Sequence, residues 1–336
     1  MGMKLDLTSN FAYYHMTNLP SYGIGTLPFG ISVSKPKAKL LIEMALECGV
    51  TFFDTSPLYG NGHSEQILGA VLPKNNAPLV STKVGLKKVT RSDGGFGVAP
   101  VKLDEKNIRK SVEQSLINLQ RDHIDLLQLH AYDSTTPLEE TLSALEKLYG
   151  EGKINAFGCS NYSPTQAREL FRLIRKQNIS FFWSMQCHYN VIEQRVSKIF
   201  APLCEKNGAQ LIINRALARG ALTGQYTNLE KLPIGSRAYN SLRIQKWLTK
   251  QRLQSIKVLS EAISPFNVTL LEASLAWLRN KHPSCTILLG IKTPEQLELS
   301  LRAESFAQDT SLINTIDQTL AQEQHVFSSP PRYLEK

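Results

Sequence analysis

The sequence has few cysteines, and no two of them lie at metal-ligand spacing. Its five cysteines are widely separated and form no CxxC motif: Cys48, Cys159, Cys187, Cys204 and Cys285. An odd number of scattered cysteines argues against a disulfide framework and against a structural zinc site. We therefore expect reduced thiols, a cytoplasmic location and no bound metal.

Long apolar runs are also missing. No stretch reaches the roughly eighteen consecutive apolar residues that a membrane-spanning helix needs. The first ten residues, MGMKLDLTSN, lack a basic region that leads into an apolar stretch, and Asp6 departs from the myristoylation pattern. These features predict a protein that is neither exported nor anchored to a membrane.

Acidic residues are outnumbered by basic ones, 29 against 38, which leaves a net charge of +9. Nucleic-acid-binding domains concentrate such charge in basic stripes interleaved with aromatic residues. Here the basic residues are dispersed, apart from Lys87-Lys88 and residues 172–176. We therefore expect no nucleic-acid partner and prefer a small-molecule ligand. The sequence does not indicate an oligomeric state.

What the sequence does contain is an alternation of short apolar runs with amphipathic helical stretches. Apolar residues make up 42% of the 336 residues and charged residues 20%, which is typical of a globular protein with a large core. The eight predicted strands are residues 22–26, 51–53, 79–82, 124–129, 154–159, 181–185, 211–213 and 286–289. This α/β pattern favours a single-domain (β/α)₈ TIM barrel over residues 1–336, with its core at about 19–305; a doubly wound open sheet is the competing arrangement.

The predicted helices occupy most of the intervals between these strands. They are residues 35–47, 65–72, 105–119, 138–149, 164–176, 193–206 and 294–302. Two intervals are longer than the rest and predict long loops after strands 3 and 7. Residues 87–103 show no periodicity and predict a mobile loop over the barrel mouth, whereas residues 220–250 precede two further helical stretches at 251–263 and 270–281.

Polar residues recur where the predicted strands end. They are Asp54, Lys83, His130, Ser160, Gln186, Asn214 or Arg215, and Gly290. Turn chemistry explains some of these singly, but it explains poorly why an aspartate, a lysine, a histidine and a glutamine occur together. Because the carboxyl ends of the strands carry the active site in TIM barrels, the pattern predicts a functional site at one barrel mouth.

Several motifs together resemble the aldo-keto reductase family. They are FDTSPLYG at 53–60, GHSE at 62–65, LG at 68–69, STKVG at 81–85, LQLH at 127–130 and GCSN at 158–161. The resemblance covers residues 19–305 and implies an NAD(P)-dependent oxidoreductase that interconverts an aldehyde or ketone with its alcohol. The wording of the motifs is most similar to members that oxidise sugars or pyridoxal, which implies a polar, hydroxylated substrate.

The resemblance implies that Asp54, Tyr59, Lys83 and His130 carry the catalysis. Tyrosine has an unperturbed pKa near 10, so its phenol needs a neighbouring ammonium group to act as an acid at neutral pH. Lys83 supplies that charge, Asp54 pairs with Lys83, and His130 hydrogen-bonds the substrate oxygen or relays a proton to Tyr59. Each residue alone also fits a purely structural role, but their occurrence at three successive strand ends favours the catalytic interpretation.

The sequence has no GxGxxG motif, because Gly23-Ile24-Gly25 is followed by Thr26, Leu27 and Pro28. A Rossmann cofactor site is therefore not expected. The resemblance implies instead a nicotinamide coenzyme bound by Gly25, Thr26, Asp54, Ser160, Asn161, Gln186, Asn214, Arg215, Leu217, Arg219, Gly220, Gly290, Lys292, Thr293 and Gln296.

Within this set the resemblance gives each group a different part of the coenzyme. Ser160, Asn161 and Gln186 hold the nicotinamide carboxamide. Arg219 and the amides near Gly220 suit the pyrophosphate, whereas Lys292 and Thr293 suit the adenosine 2′-phosphate. NADP(H) is therefore favoured over NAD(H).

The sequence departs from the family at two positions. Many relatives have an aromatic residue, which stacks on the nicotinamide, where this chain has Asn214. Leu299-Ser300 replaces a Glu-Asn pair that contacts adenine. The motifs also fit a rival function, a cofactor-sensing binding protein like the potassium-channel beta subunits, which keep the same four catalytic residues.

Overall fold

The computed structural model describes residues 19–74, 77–90, 96–194 and 197–323. Eight of its strands are parallel and close into a barrel in the order β1-β10-β9-β8-β7-β6-β3-β2. The barrel strands are β1 Tyr22–Gly25, β2 Phe52–Asp54, β3 Leu79–Val84, β6 Leu126–Leu129, β7 Phe157–Ser160, β8 Phe182–His188, β9 Gln210–Asn214 and β10 Thr286–Leu289. The predicted barrel is confirmed, and the competing open sheet is excluded.

The strands follow the apolar runs because strands of a parallel barrel are buried on both faces. Every residue of β6, β7 and β10 is buried, and Phe52 and Phe53 of β2 are fully enclosed. Strand ends lie within three residues of the predicted ones, and β10 has the predicted bounds. Ile124, for example, forms only an isolated bridge with Ile154 ahead of β6.

Helices follow the strands as the periodicity predicts. They are α1 Lys35–Glu47, α2 His63–Val71, α3 Glu105–Leu119, α4 Leu138–Gly150, α5 Pro164–Gln177, α6 Ser197–Lys206, α7 Leu242–Trp247, α8 Lys250–Ala262, α9 Leu270–Lys281, α10 Pro294–Arg302 and α11 Thr310–Gln322. Ser163 caps α5 through a capping box with Gln166. In the part of the chain that the structure describes, none of the helices has the length and apolar character needed to span a bilayer.

The chain divides into two compact units. Unit 1 extends to Gly158 and includes Ser180–Phe182; unit 2 comprises Cys159–Ile179 and the chain from Trp183 onward. In unit 1, β1, β2, β3 and β6 pair in parallel, with Asp54 opposite Ser81 and Lys83 opposite Gln128. In unit 2, β8, β9 and β10 pair in parallel. The prediction that residues 1–336 form one domain stays a prediction.

Close packing in unit 1 explains one of the motif glycines. Gly69 on α2 meets the end of α3, where an added Cβ would lie 2.4 Å from the carbonyl oxygen of Asn118. A larger residue there would force α2 away from α3. The Leu68-Gly69 pair of the sequence motif therefore has a packing role.

The long loop after β3 differs from its predicted irregular form. It contains an antiparallel hairpin of β4 Leu86–Thr90 and β5 Phe96–Pro100. Its base is fixed because the Val101 amide donates to the Gly85 carbonyl over 2.8 Å and the Leu103 amide to the Asp133 carboxylate over 2.8 Å. Asp93-Gly94 is a hairpin-turn signal that the prediction did not use, although residues 91–95 lie outside the described residues.

Two helix predictions also need correction. Helix α6 begins at Ser197 and not at Glu193, because Asn190 accepts a hydrogen bond from the Ile192 amide and forms a bridge with Glu193. Helices α7 and α11 were not predicted. Helix α11 lies beyond the predicted core and is joined to α9 by a 2.8 Å hydrogen bond from Trp277 Nε1 to Asp317.

Candidate active site

Unit 1 brings Asp54, Tyr59 and Lys83 together at the carboxyl ends of β2 and β3. Lys83 Nζ lies 2.6 Å from Asp54 Oδ2 and 2.7 Å from the Thr55 carbonyl oxygen. The same ammonium lies 3.4 Å from the Tyr59 hydroxyl and 5.0 Å from the centroid of its ring. One buried cation therefore contacts both the carboxylate and the phenol that the sequence analysis grouped with it.

The Lys83 ammonium remains charged although its side chain is only 1% exposed. Burial lowers the pKa of Lys83, but the negative charge of Asp54 and the hydrogen bonds to Asp54 and Tyr59 raise it more, and the net pKa lies above its ordinary value. A cation at hydrogen-bond distance from a phenol stabilises the phenolate. The arrangement is thus suited to proton donation by Tyr59.

A tight turn after β2 positions Tyr59. The Tyr59 amide donates to the Ser56 carbonyl over 2.9 Å. Gly60, Asn61 and Gly62, which follow at once, all have left-handed backbone angles, with φ of 60°, 56° and 86°. Such angles suit glycine and asparagine, which explains why the motif has these residue types there.

His130 follows β6 directly and completes the group. Its amide donates to the Val84 carbonyl over 2.8 Å, and its ring meets the Tyr59 ring edge-on at 6.4 Å between centroids. Ser56 Oγ lies 3.4 Å from His130 Nδ1. Burial and the nearby charge of Lys83 lower the pKa of His130 to about 3, so its imidazole is neutral at physiological pH.

Gln128 is a site residue that the sequence reasoning missed. Its Nε2 donates to Asp54 Oδ1 over 3.1 Å and to Ser81 Oγ over 2.7 Å, and the side chain is fully buried. It therefore holds the carboxylate oxygen that does not contact Lys83. The only signal in the sequence was a polar residue two positions before His130, within an otherwise apolar strand.

A hydrogen-bonded chain of buried hydroxyl groups holds the carboxyl end of β2 in place. Ser64 Oγ donates to Thr26 and lies 2.9 Å from Thr55 Oγ1, while Thr26 Oγ1 donates to the Asp54 carbonyl over 3.0 Å. Thr26 is fully buried. Its hydroxyl is committed to this network, and its predicted contact with a coenzyme stays a prediction; Gly25, which precedes it, pairs with Asp54 in the barrel register.

Glu65 supports the end of β3 in the same way. Its buried carboxylate accepts from Thr82 Oγ1 over 2.7 Å and from Asn118 Nδ2 over 2.9 Å. Glu65 also lies in the first turn of α2, where the helix dipole favours a negative charge. The GHSE motif therefore anchors β3 next to Lys83.

Unit 2 holds most of the predicted coenzyme residues. Ser160 ends β7 and is fully buried, and its hydroxyl accepts a hydrogen bond from Asn161 Nδ2 over 3.1 Å. Gln186 lies in β8, and Asn214 ends β9 and donates from Nδ2 to Gln186 Oε1 over 2.8 Å. Buried amide and hydroxyl groups of this kind can bind a carboxamide.

The segment after β9 has an unusual backbone. Left-handed angles occur at Arg215, Ala218, Arg219 and Gly220, and three of these residues are not glycine. Leu217 accepts the amide hydrogen bonds of Gly220 and Leu222 within this segment. Left-handed residues concentrate at ligand-binding loops, which fits the predicted role of the segment.

Arg219 is less available for an anion than the sequence suggests. Its guanidinium lies 3.2 Å from Glu193 and stacks on the Trp247 ring at 4.8 Å, while Arg252 covers the same ring at 4.8 Å. Glu193 therefore already neutralises Arg219. The Trp247 ring therefore lies between two arginine side chains.

The segment after β10 forms the start of α10. Thr293 caps the helix by accepting from the Gln296 amide over 3.4 Å, and Gln296 Oε1 accepts from the Lys292 amide over 2.8 Å. The Lys292 and Gln296 amides thus already donate to side chains of the same segment. Lys292 Nζ contacts the Gly235 carbonyl at 3.3 Å, and Gly290 has open space where a Cβ would lie.

The described residues contain no cluster of three or more histidine, cysteine or acidic side chains arranged to hold a metal ion.

Comparisons with known proteins identify the family of this chain. Residues 22–321 match the model of the Aldo/keto reductase family. Aldo-keto reductase YhdN of Bacillus subtilis is 29% identical over 93% of this chain and 93% of its own length. L-glyceraldehyde 3-phosphate reductase of Escherichia coli K12 is 29% identical over 90% of this chain and 89% of its own length.

Two further relatives differ in function from one another. A probable voltage-gated potassium channel subunit beta of rice, Oryza sativa subsp. japonica, is 28% identical over 84% of this chain and 86% of its own length. The solved structure of the glycerol dehydrogenase AKR11B4 from Gluconobacter oxydans has 29% identity and a TM-score of 0.77, covering 91% of this chain and 92% of that one. The chain therefore belongs to the aldo/keto reductase family, as the sequence motifs indicate, and is an oxidoreductase that acts on carbonyl or alcohol groups with a nicotinamide coenzyme.

Proposed function

We propose that the protein is an NADP(H)-dependent reductase that uses Tyr59 as its general acid and base. The observation that carries this proposal is the position of Lys83 Nζ, 2.6 Å from Asp54 and 3.4 Å from the Tyr59 hydroxyl. Three ionisable groups in one buried contact are typical of a site whose proton affinities are tuned for catalysis.

In this proposal the bound coenzyme supplies the hydride during reduction and accepts it during oxidation. Tyr59 donates its hydroxyl proton to the carbonyl oxygen, and Lys83 stabilises the phenolate that remains. Asp54 and Gln128 hold Lys83 in place. His130 is neutral, so it hydrogen-bonds the substrate oxygen and does not carry the proton that Tyr59 delivers.

The residues of unit 2 fit a nicotinamide coenzyme. Ser160 and Asn214 lie at strand ends, and Asn214 Oδ1 is a buried acceptor that lacks a hydrogen-bond partner among the described residues. Ser160, Asn161 and Gln186 would hold the carboxamide, while the left-handed segment at 215–220 would meet the pyrophosphate. Lys292, which projects from the start of α10, supports a preference for the additional phosphate of NADP(H).

The substrate class we propose is a short, hydroxylated aldehyde or ketone. Two relatives are a glycerol dehydrogenase and an L-glyceraldehyde 3-phosphate reductase by name, and both names describe three-carbon hydroxylated compounds. The motif wording independently favours a polar substrate. We also propose a cytoplasmic location, which suits the five free cysteines.

A substrate screen tests the proposal. Purified protein is mixed with NADPH or NADH and with glyceraldehyde, dihydroxyacetone, aldoses, pyridoxal or an unsubstituted aldehyde such as butanal, and coenzyme oxidation is followed at its absorbance maximum. We expect turnover with NADPH and a higher kcat/KM for the hydroxylated carbonyls. Binding of NADPH without turnover of any carbonyl would reject the reductase function.

The potassium-channel relative supports a second candidate, a protein that binds the coenzyme as a sensor. Such a protein would bind NADPH but consume it with excess aldehyde no faster than the Tyr59→Phe variant does. Both candidates require the same coenzyme site, so coenzyme binding does not distinguish them. A wild-type rate well above that of Tyr59→Phe indicates the enzyme.

A further inference from the structure

Asn214 lies in an amide pair at the end of β9. Its Nδ2 donates to Gln186 Oε1 over 2.8 Å. In the parallel register Asn214 is opposite His188, and Gln186 is two residues before His188. Side chains two residues apart on a strand share a face, so Gln186 and Asn214 are diagonal neighbours on the same face of the sheet.

The other polar atom of Asn214 has no hydrogen-bond partner in the described part of the chain. Asn214 Oδ1 is shielded from solvent and accepts no hydrogen bond from any of the residues that the structure describes. A buried acceptor without a donor costs free energy that a hydrogen bond would recover, and folded proteins keep few of them. The chain therefore presents an acceptor that fits a ligand carrying an N–H or O–H group.

The backbone around Asn214 is fixed, so the acceptor is held in one place. The Asn214 carbonyl accepts from the Tyr189 amide over 3.3 Å, and the next residue, Arg215, has its carbonyl held by Asn190 Nδ2 over 3.0 Å. Asn214 is also the last residue of its strand. Ligands of TIM barrels bind at these carboxyl ends.

The nicotinamide of the coenzyme carries a carboxamide with two N–H donors and one oxygen acceptor. Ser160 can donate its hydroxyl to such an oxygen while it accepts from Asn161, because a hydroxyl does both. Gln186 Oε1 accepts from Asn214 Nδ2, and the second lone pair of such a carbonyl oxygen can accept from the carboxamide amino group. The second N–H of that amino group still needs an acceptor. We propose that Asn214 Oδ1 accepts a hydrogen bond from this amino group.

This inference rests on the proposed function, since it needs a nicotinamide coenzyme at the site. It assigns to Asn214 a direct contact with the coenzyme, and to Gln186 the task of fixing which atom of the Asn214 amide faces it. The alternative is that Asn214 only supports Gln186 and contacts no ligand. The two roles predict different results when Asn214 is replaced. A direct contact predicts weaker binding only of ligands that carry the amino group, whereas a supporting role predicts the same loss of affinity for ligands with and without it.

Calorimetric binding without substrate tests the contact. The ligands are NADP⁺ or NAD⁺, whichever binds the wild type more tightly, and its 3-acetylpyridine analogue, in which a methyl group replaces the amino group. We expect the wild type to bind the analogue about tenfold more weakly, the loss that one hydrogen bond typically causes. In Asn214→Leu the coenzyme should lose about tenfold in affinity, whereas the Kd of the analogue should change less than twofold.

Two more variants complete the experiment. Asn214→Asp keeps an acceptor oxygen and should retain discrimination against the analogue to within about threefold of the wild type. Ser184→Ala is the matched control. It removes a hydroxyl group of β8 that is buried and, like Asn214 Oδ1, has no partner among the described residues, and it should leave both affinities unchanged.

Three results would overturn the inference. Equal affinity of the wild type for coenzyme and analogue would do so, as would an equal loss for both ligands in Asn214→Leu. If Asn214→Leu does not fold, loss of discrimination in Asn214→Asp would overturn it instead. In these cases the proposed function stands, because the coenzyme still binds; failure of the wild type to bind either coenzyme would reject the proposed function and this inference together.

Discussion

Gln128 Nε2 donates a 3.1 Å hydrogen bond to Asp54 Oδ1, the carboxylate oxygen that does not contact Lys83. Asp54 thus has a separate partner for each oxygen. Lys83 in turn contacts Asp54, the Thr55 carbonyl and Tyr59. The orientation of the Lys83 amine next to Tyr59 therefore depends on Gln128, which acts through Asp54 and has no proposed role as an acid or a base.

Replacing Gln128 by methionine should lower kcat. Methionine fills a similar volume but cannot donate to Asp54, and hydrogen bonds to charged groups contribute about 1.5–3 kcal/mol. We expect kcat to fall about tenfold or more, with the coenzyme Kd unchanged. The control is Ser81→Ala, which removes the other partner of Gln128 and keeps the bond to Asp54. Equal losses of kcat in both variants would show that Gln128 acts only through packing.

The extent of agreement between sequence and structure depends on how local each signal is. Helices α1, α3, α9 and α10 have the predicted bounds. In α3 and α9 the N-terminal caps are local, because Asp104 and Thr269 accept hydrogen bonds from the amides three residues later. The β4–β5 hairpin was missed because a lysine-rich strand exposed to solvent has little apolar alternation.

The candidate site also has features that the sequence predicts and features that it does not. The grouping of Asp54, Tyr59, Lys83 and His130 was predictable, since each follows or ends a barrel strand in a recognisable motif. The role of Gln128 was not, because it depends on the orientation of an amide in the folded protein. The pairing of Arg219 with Glu193 was also hidden, since an ion pair between residues that far apart leaves no mark on either motif.

Replacing Lys83 by methionine should abolish reduction and destabilise the protein. Removal of one partner from a buried ion pair leaves the other charge unpaired, which costs about 3–5 kcal/mol in free energy of unfolding. Lys83 and Asp54 are 1% and 3% exposed. Denaturant unfolding should show this loss, and the double variant Asp54→Asn/Lys83→Met should recover most of it.

Activity measurements separate the effect of Lys83→Met on catalysis from its effect on stability. The double variant should be stable and still inactive, because Tyr59 has lost its ammonium partner, while the coenzyme still binds. Recovery of turnover together with stability would mean that Lys83 serves the fold and not the reaction.

The protein should become less stable in mild acid, because His130 is protonated in the unfolded chain but stays neutral in the folded protein. Burial and the charge of Lys83 lower the pKa of His130 to about 3 in the folded state, against about 6.5 in an unfolded chain. The unfolded chain therefore binds more protons between these values. The stabilisation is complete above pH 6.5 and is lost as the pH falls from 6.5 towards 3.

The matching experiment compares the wild type with His130→Gln by urea unfolding at pH 7 and pH 5. We expect the wild type to lose about 1–2 kcal/mol more than the variant over this interval. The same low pKa predicts that kcat/KM shows no inflection near pH 6.5 caused by His130. Equal pH dependence of stability in the two proteins would contradict a depressed histidine pKa.

Lys292 should set the preference for NADPH. Its side chain lies at the start of α10, and a phosphate there gains from its positive charge. We expect Lys292→Met to weaken NADPH binding about tenfold and to leave the Kd of NADH within twofold. Lys257→Met, which removes an exposed lysine of the same unit, controls for the change in net charge.

Equal dissociation constants for NADPH and NADH in the wild type would remove the proposed preference. An equal effect of Lys292→Met and Lys257→Met would show that the preference comes from overall charge and not from a site at α10.

The most direct measurement of the central claim is the rate of carbonyl reduction by Tyr59→Phe, with coenzyme affinity measured on the same preparation. Phenylalanine keeps the ring that meets His130 and Lys83 but has no proton to give. The account predicts that kcat falls by about a thousandfold or more, within the range of general acid–base catalysis, while the Kd for NADPH stays within twofold. A kcat within tenfold of the wild type would contradict it.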